Sequence, residues 1–216
     1  MNEKNVLLVF AKNPVKGKVK TRLAKSIGAE LALKVYLDLV IHTKKVIEKL
    51  DVDVRIYYSD LIEEEDLFSE SEFFGKFLQE GVDLGQRMFN AFDKAKADGY
   101  QKIVIIGTDL FELKSQHLKE AFNKLTDNHY VIGPSKDGGY YLFGMNRSDL
   151  NPKFFKNKLW SSSTVLSDTL KDISESKVFQ LEELNDIDTF EDLKQSNYYH
   201  LFLSKYDNNS KTRTNH

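Results

Sequence analysis

Asn5-Val6-Leu7-Leu8-Val9-Phe10-Ala11 is an apolar run that stops abruptly at Lys12-Asn13-Pro14-Val15-Lys16-Gly17-Lys18-Val19-Lys20-Thr21-Arg22-Leu23. A continuous apolar segment of this length suits a parallel strand with both faces buried, because helices cover both sides of such a sheet. A helix is predicted from about Ala29 to Leu50, where Leu33, Tyr36, Leu37, Val40 and Ile47 fall at helical spacing. Strands and helices keep alternating downstream, with no internal repeat. Asp53 to Ser59 alternates as a second strand, Asp83 to Ala97 reads as a helix closed by Asp98-Gly99, and Lys102 to Gly107 is a buried strand. Ser115 reads as the N-cap of a helix ending near Asp127. Tyr130–Gly133 and Tyr140–Gly144 read as short strands around a glycine-rich turn. A helix (Thr164–Ile173), a strand (Lys177–Leu181) and a last helix (Thr189 to about Tyr206) follow. Alternating strands and helices predict an α/β chain: a three-layer αβα sandwich on a mostly parallel sheet with a short antiparallel element.

The 216 residues suit one domain over residues 1–206, with a polar tail at 207–216 expected to be disordered. The chain is 41% hydrophobic and 30% charged, with 15 Phe and 10 Tyr for a core, which excludes the composition of a disordered protein. A net charge of −2 argues against a general nucleic-acid binder. Cysteine is absent, so disulfides, thiolate metal sites and a cysteine nucleophile are excluded. The apolar run before Lys12 is too short for a signal peptide or a membrane span. The expectation is a cytoplasmic protein without a membrane span. Asp60 to Asp66 holds five acids in seven residues and reads as a solvated surface segment.

In such sheets ligands bind beyond the carboxyl ends of the strands, so motifs that directly follow strands are the candidates for chemistry. The loop after the first strand carries six Lys or Arg between Lys12 and Lys25, and no acid occurs from Asn5 through Ala29. It lies where backbone N–H groups and a helix dipole also favour anions. Gly17 lets backbone approach a phosphate, lysines such as Lys18 supply mobile charge, and Arg22 supplies a bidentate fork. The loop matches neither the Walker A pattern nor Gly-x-Gly-x-x-Gly; a plain solvated basic loop is the competing reading.

Ile103-Val104-Ile105-Ile106-Gly107-Thr108-Asp109 places a carboxylate at the end of an apolar strand. Asp109 is suited to a hard cation held against a phosphate, or simply to capping the turn. In Ile132-Gly133-Pro134-Ser135-Lys136-Asp137-Gly138-Gly139-Tyr140-Tyr141, adjacent glycines let a substrate lie against bare backbone beside Asp137 and Tyr140; a plain hairpin turn is the alternative. Thr189 and Asp192 read as a capping box, which leaves Asp186 and Asp188 as candidates for a second metal carboxylate.

These segments together resemble the nucleotide-diphospho-sugar transferase superfamily of glycosyltransferase-A type. Within it they resemble the small bacterial "transferase 1" family of unknown function, related to the molybdenum-cofactor and phospholactate guanylyltransferases. The matching pieces, in the family's order, are Phe10-Ala11-Lys12 through Lys20-Thr21-Arg22-Leu23, Gln79 through Met88, Gly107-Thr108-Asp109, Gly133 through Tyr141, Trp160-Ser161 and Asp186-Ile187-Asp188-Thr189. The resemblance implies that Lys12, Lys20 and Arg22 hold nucleotide phosphates and that Asp109 is the metal-binding aspartate. By comparison with related nucleotidyltransferases, Asp188 would be its partner. Gln79, Asp83, Gly85 and Arg87 would line the nucleotide or acceptor site, and Asp137-Gly138-Gly139 would contact the acceptor. The family usually follows its aspartate with Cys-Pro, where this chain has Leu110-Phe111, so the neighbouring turn is less constrained.

The implied activity is a transferase dependent on Mg²⁺ or Mn²⁺. It would use a nucleoside triphosphate or nucleotide sugar with a small-molecule acceptor, and nucleotidyl transfer to a phosphorylated acceptor is the leading expectation. Lys20, Arg22 and Asp109 would carry the chemistry by positioning and charge. Glycosyl transfer from a nucleotide sugar and a non-catalytic nucleotide-binding module are the alternatives.

Overall fold

A computed structural model describes residues 4–69, 74–160, 162–173 and 176–207. Its seven strands are β1 (Asn5–Ala11), β2 (Asp53–Tyr58), β3 (Phe74–Leu78), β4 (Lys102–Ile106), β5 (Tyr130–Pro134), β6 (Tyr140–Asn146) and β7 (Val178–Gln180). They form one sheet in the order β3-β2-β1-β4-β6-β5-β7. β6 runs antiparallel to both of its neighbours, and the other pairings are parallel. From β1 the chain builds outward through β2 to β3, then returns to add β4 on the other side of β1. The sheet order therefore reverses between β1 and β4, and in sheets of this kind ligands bind beyond the carboxyl ends of the strands at such a reversal.

The apolar first strand behaves as its sequence requires: Val6, Leu7, Leu8 and Val9 are all fully buried. Leu7 and Val9 join one core layer with Val104, Ile106, Tyr36, Val40, Leu118 and Phe122. The last four come from α2 (Ala29–Ile47) and α4 (Ser115–Lys124), which cover that face. Val6 and Leu8 join the opposite layer with Ile103, Ile105, Phe143, Phe92 and Phe155. There α3 (Leu84–Ala97), the turn Pro152–Phe155 and α5 (Val165–Asp172) form the cover. The three-layer αβα architecture expected from the sequence is the one observed. A third cluster joins α1 (Thr21–Ile27) and α2 to α6 (Phe190–Gln195) and α7 (Tyr199–Phe202) through Leu23, Val35, Leu39, Leu193, Tyr198 and Phe202.

Several local expectations are corrected. A short helix precedes the one expected from Ala29: α1 begins at Thr21, inside the stretch read as loop, and Gly28 at φ 83° separates it from α2. β3 carries Gly75 and Lys76 within five residues, too little apolar pattern to announce an edge strand. Lys114, not Ser115, is the N-cap of α4. The last helix is not continuous to Tyr206, because Ser196 adopts an extended conformation at ψ 152° that divides α6 from α7. The acidic segment is not wholly solvated. The Asp66 carboxylate, 11% exposed, pairs with Lys76 at 3.1 Å and accepts from the Tyr58 hydroxyl at 2.5 Å. Residues 208–216, most of the expected disordered tail, lie outside the described residues. No helix among the described residues is long and apolar enough to cross a membrane.

Candidate functional site

The loop after β1 is held from two sides. Asn13 is buried; its amide donates to the Leu61 carbonyl at 2.9 Å and accepts from the Asp60 and Leu61 N–H groups, fastening the loop to the chain that leaves β2. The Tyr36 hydroxyl exchanges two hydrogen bonds with the Lys12 backbone, at 2.8 and 2.7 Å, and faces Thr108 on the other side. Burial pushes its phenol well above the ordinary range, so it stays protonated and able to donate. Between these anchors Lys12, Lys16, Gly17 and Lys18 are exposed. Lys16 pairs with Glu30 at 3.0 Å.

Lys20 differs from the other loop cations. Its backbone is left-handed, at φ 48° and ψ 44°, where the loop turns into α1. Its side chain is 4% exposed and reaches Asp109 Oδ1 with Nζ at 2.5 Å. Two residues later, Arg22 Nη1 lies 3.2 Å from Asp188 Oδ2. The two cations read from the sequence thus each meet one of the two carboxylates read from the sequence, and the pairs join the start of α1 to the end of β4 and to the segment before α6.

That segment is fixed by its own backbone. The Ile187 N–H donates to the Asp109 carbonyl at 3.0 Å, so Asp186 and Asp188 flank a residue tied to the end of β4. Thr189 and Asp192 form the predicted capping box, and Asp192 Oδ2 also accepts from the Asp188 N–H at 3.2 Å. Asp186 is held inward, and its carboxyl is pushed up to about 6, first by burial and then by the negative charges of Asp137 and Asp109. Asp109, Asp137 and Asp186 therefore share one field, with the Lys20 ammonium opposing it.

Asp137 arrives on the turn between β5 and β6. Its Oδ1 accepts from the Gly139 N–H at 2.8 Å. The turn is docked to the late segment through Lys136 N–H to Leu184 O at 3.1 Å and Leu184 N–H to Pro134 O at 3.1 Å. Gly138 sits at φ 88°, and a Cβ there would lie 2.2 Å from the Ser163 carbonyl oxygen. This glycine thus faces protein backbone. Gly85 does likewise: an added Cβ would be 2.1 Å from Phe155 O and 2.7 Å from the Trp160 ring. Tyr140 packs into the core. Its hydroxyl is buried near Thr169, and its ring packs 5.6 Å from Phe143 in the core.

Among the residues around β3, Gln79 ties the strand ends together, its amide donating to Tyr57 O at 2.9 Å and Ala11 O at 3.3 Å. Asp83 caps α3 by accepting from the Gln86 N–H at 2.8 Å, and Arg87 Nε donates to Gly81 O at 3.1 Å. These side chains shape the rim at the end of β3. The departure at Leu110-Phe111 is absorbed by packing: Leu110 is 2% exposed in the core, and Phe111 lies 4.7 Å from the His42 ring and 5.0 Å from the Tyr198 ring.

Lys20, Arg22, Asp109, Asp137, Asp186 and Asp188 therefore converge at the reversal point of the sheet, whereas Gly85, Tyr140 and Asp83 have tasks in the scaffold. Sequence reasoning did not single out Asn13, and gave Tyr36 only a place in the helix pattern. Only the contacts of their polar ends reveal a role. The available carboxylates are hard oxygen donors, which suits Mg²⁺ or Mn²⁺. Among the described residues, however, no three acids or histidines cluster tightly enough to cage an ion alone. An ion held here would therefore have to complete its shell with substrate oxygens and water.

An αβα sandwich whose sheet has one reversed strand, with paired charges at the β1/β4 reversal, defines a protein of the nucleotide-diphospho-sugar transferase fold. The chain belongs to the family described as uncharacterized protein conserved in bacteria (DUF2064), whose model matches residues 42–162, more than half of the chain. It is similar to the crystal structure of a candidate nucleotide-diphospho-sugar transferase from Desulfovibrio desulfuricans G20, with 29% identity over 95% of this chain and 96% of that one and a TM-score of 0.82. In fold it also resembles a nucleotidyl transferase from Methanothermobacter thermautotroptrophicus, at 17% identity, 93% and 98% coverage and a TM-score of 0.67. A cytidylyltransferase from Leptospira borgpetersenii is similar at 15% identity, 100% and 98% coverage and a TM-score of 0.61. No curated protein matches the chain by sequence.

Proposed function

We propose that the protein is a transferase that uses a nucleoside triphosphate and moves its nucleotidyl group to a small phosphorylated acceptor. The observation that carries this reading is the pairing of a buried lysine with the β4 aspartate, Lys20 Nζ to Asp109 Oδ1 at 2.5 Å, beneath an exposed basic loop at the sheet reversal. An oxygen of the acceptor phosphate attacks the α-phosphorus, the bond to the β-phosphate oxygen breaks, and pyrophosphate leaves with its electron pair. Lys12 and Lys18, free to move on the exposed loop, attract the triphosphate. Lys20 and Arg22 neutralise charge that develops on the departing pyrophosphate. A divalent ion held by Asp109 with Asp186 or Asp188 would polarise phosphate oxygens. Tyr36 and Asn13 hold the loop backbone in place, which limits reorganisation when phosphate enters.

One observation favours a second reading, glycosyl transfer from a nucleotide sugar: the similar structure from Desulfovibrio desulfuricans G20 is described as a nucleotide-diphospho-sugar transferase. A panel of nucleoside triphosphates and nucleotide sugars, each with Mg²⁺ or Mn²⁺, separates the two. Binding is read by thermal shift, and turnover with phosphorylated acceptors by pyrophosphate release. Pyrophosphate formation that fails in Asp109→Ala supports nucleotidyl transfer. Product only from a nucleotide sugar moves the assignment to glycosyl transfer, and nucleotide binding without product leaves a binding module. Absence of any nucleotide binding by folded protein refutes the proposal.

A further inference from the structure

We propose that the Lys20 ammonium is a built-in counter-cation for Asp109, so that a divalent metal ion gains this carboxylate only when nucleotide phosphates draw Lys20 away. The inference rests on the nucleotide-and-metal reading above and adds an order of binding to it.

Three observations converge on Lys20. Its side chain is 4% exposed, whereas the Asp109 side chain that it meets is 48% exposed. The ammonium therefore lies on the protein side of the pair, and the carboxylate faces solvent. A buried ammonium is costly unless paired, so Asp109 is the group that makes this placement tenable. Second, among the described residues only Lys20 and Asn157 are non-glycine residues with positive φ. A lysine in that region persists only where its surroundings dictate it, and here the backbone turn is what aims the side chain inward. Third, Arg22 repeats the arrangement on the exposed side, 3.2 Å from Asp188. Lys20 and Arg22 thus each pair with a carboxylate that a metal would need.

A metal ion approaching Asp109 meets a carboxylate whose charge is already compensated, with a like charge close by. Phosphate oxygens compete for Lys20 through charge-assisted hydrogen bonds and expose Asp109 as they bind. Binding free energies couple reciprocally, so the phosphates that release Asp109 for metal also bind more tightly in its presence.

The test is titration of nucleotide-free protein with Mn²⁺ alone, following loss of the free-ion paramagnetic resonance signal. Lys20→Met should bind Mn²⁺ about tenfold more tightly than the wild type, within the range usual for coupled sites. The gain should vanish in Lys20→Met with Asp109→Asn, and Lys20→Arg should behave like the wild type. If Lys20→Met does not fold, Lys20→Gln deletes the same charge. The inference is overturned if neither neutral variant binds more tightly, if the wild type binds Mn²⁺ as tightly as they do, or if the gain survives Asp109→Asn. A separate thermal shift with nucleoside triphosphate in chelator tests the parent reading. Nucleotide binding without the Mn²⁺ gain rejects only the counter-cation, and the Mn²⁺ gain without nucleotide binding rejects only the parent reading.

Discussion

Asp186→Asn should stabilise the protein at pH 8 and lose that benefit in acid. Burial and the neighbouring charges of Asp137 and Asp109 raise the Asp186 carboxyl from 3.8 to about 6. The folded protein therefore binds this proton more tightly than the unfolded chain does. The resulting stability is fully present below pH 3.8 and is lost as pH rises through about 6. At about 1.4 kcal/mol for each tenfold change in proton affinity, the ceiling on the cost of ionising Asp186 is about 3 kcal/mol at pH 8. Solvent reaches part of the group, and screening reduces the effect to roughly 1–2 kcal/mol. Asparagine is near-isosteric and uncharged, so it removes the cost. For a chain of this size the melting temperature should rise by roughly 3–6 °C. The assay is thermal unfolding of both proteins in chelator and without nucleotide, from pH 4 to pH 8. A variant no more stable than wild type at pH 8, or a gap that stays constant into acid, would refute the electrostatic argument. The expected result also means that the chain keeps an ionisable group that costs stability at neutral pH, as functional sites commonly do.

Three further outcomes follow from the geometry. Gly138→Ala should destabilise by roughly 2–4 kcal/mol in denaturant titration, because the new Cβ meets the Ser163 carbonyl at 2.2 Å and the backbone is at φ 88°. An effect below 0.5 kcal/mol would show that the docking of this turn is loose. Tyr36→Phe removes both hydrogen bonds to the Lys12 backbone and should cost roughly 1–2 kcal/mol of stability. It should also weaken triphosphate binding several-fold; unchanged affinity would separate loop order from phosphate binding. Thr189→Ala, which deletes the cap of α6, should cost roughly 1 kcal/mol by chemical denaturation, and a neutral result would dismiss the capping box as a stabilising feature.

Much of the fold was legible because its elements are driven by local pattern. Asn5 to Ala11 and Lys102 to Gly107 are apolar runs that only a doubly covered strand can use, and the helices between strands carry amphipathic spacing. The capping box at Thr189 and Asp192 was legible for the same reason, since both partners lie within one helical turn. β3 and the break at Ser196 were not. An edge strand containing Gly75 and Lys76 is held by its register with β2, and the kink is held by packing of Tyr198 and Phe202 against α1 and α2. Neither leaves a periodic trace.

The same division holds for the site. Sequence alone determined which charges lie after which strands: Lys20 and Arg22 after β1, Asp109 after β4, and Asp186 and Asp188 before α6. Strand ends are where a parallel sheet leaves its loops free to bind. Only the tertiary structure decided how those charges are partnered. It set Lys20 on Asp109 and Arg22 on Asp188, brought Asp186 within the field of Asp137 and Asp109, and spent Gly85 and Gly138 on backbone contacts with distant loops. The physical reason is that an ion pair or a close backbone approach depends on distances across elements far apart in the chain, and spacing along the sequence carries no record of them.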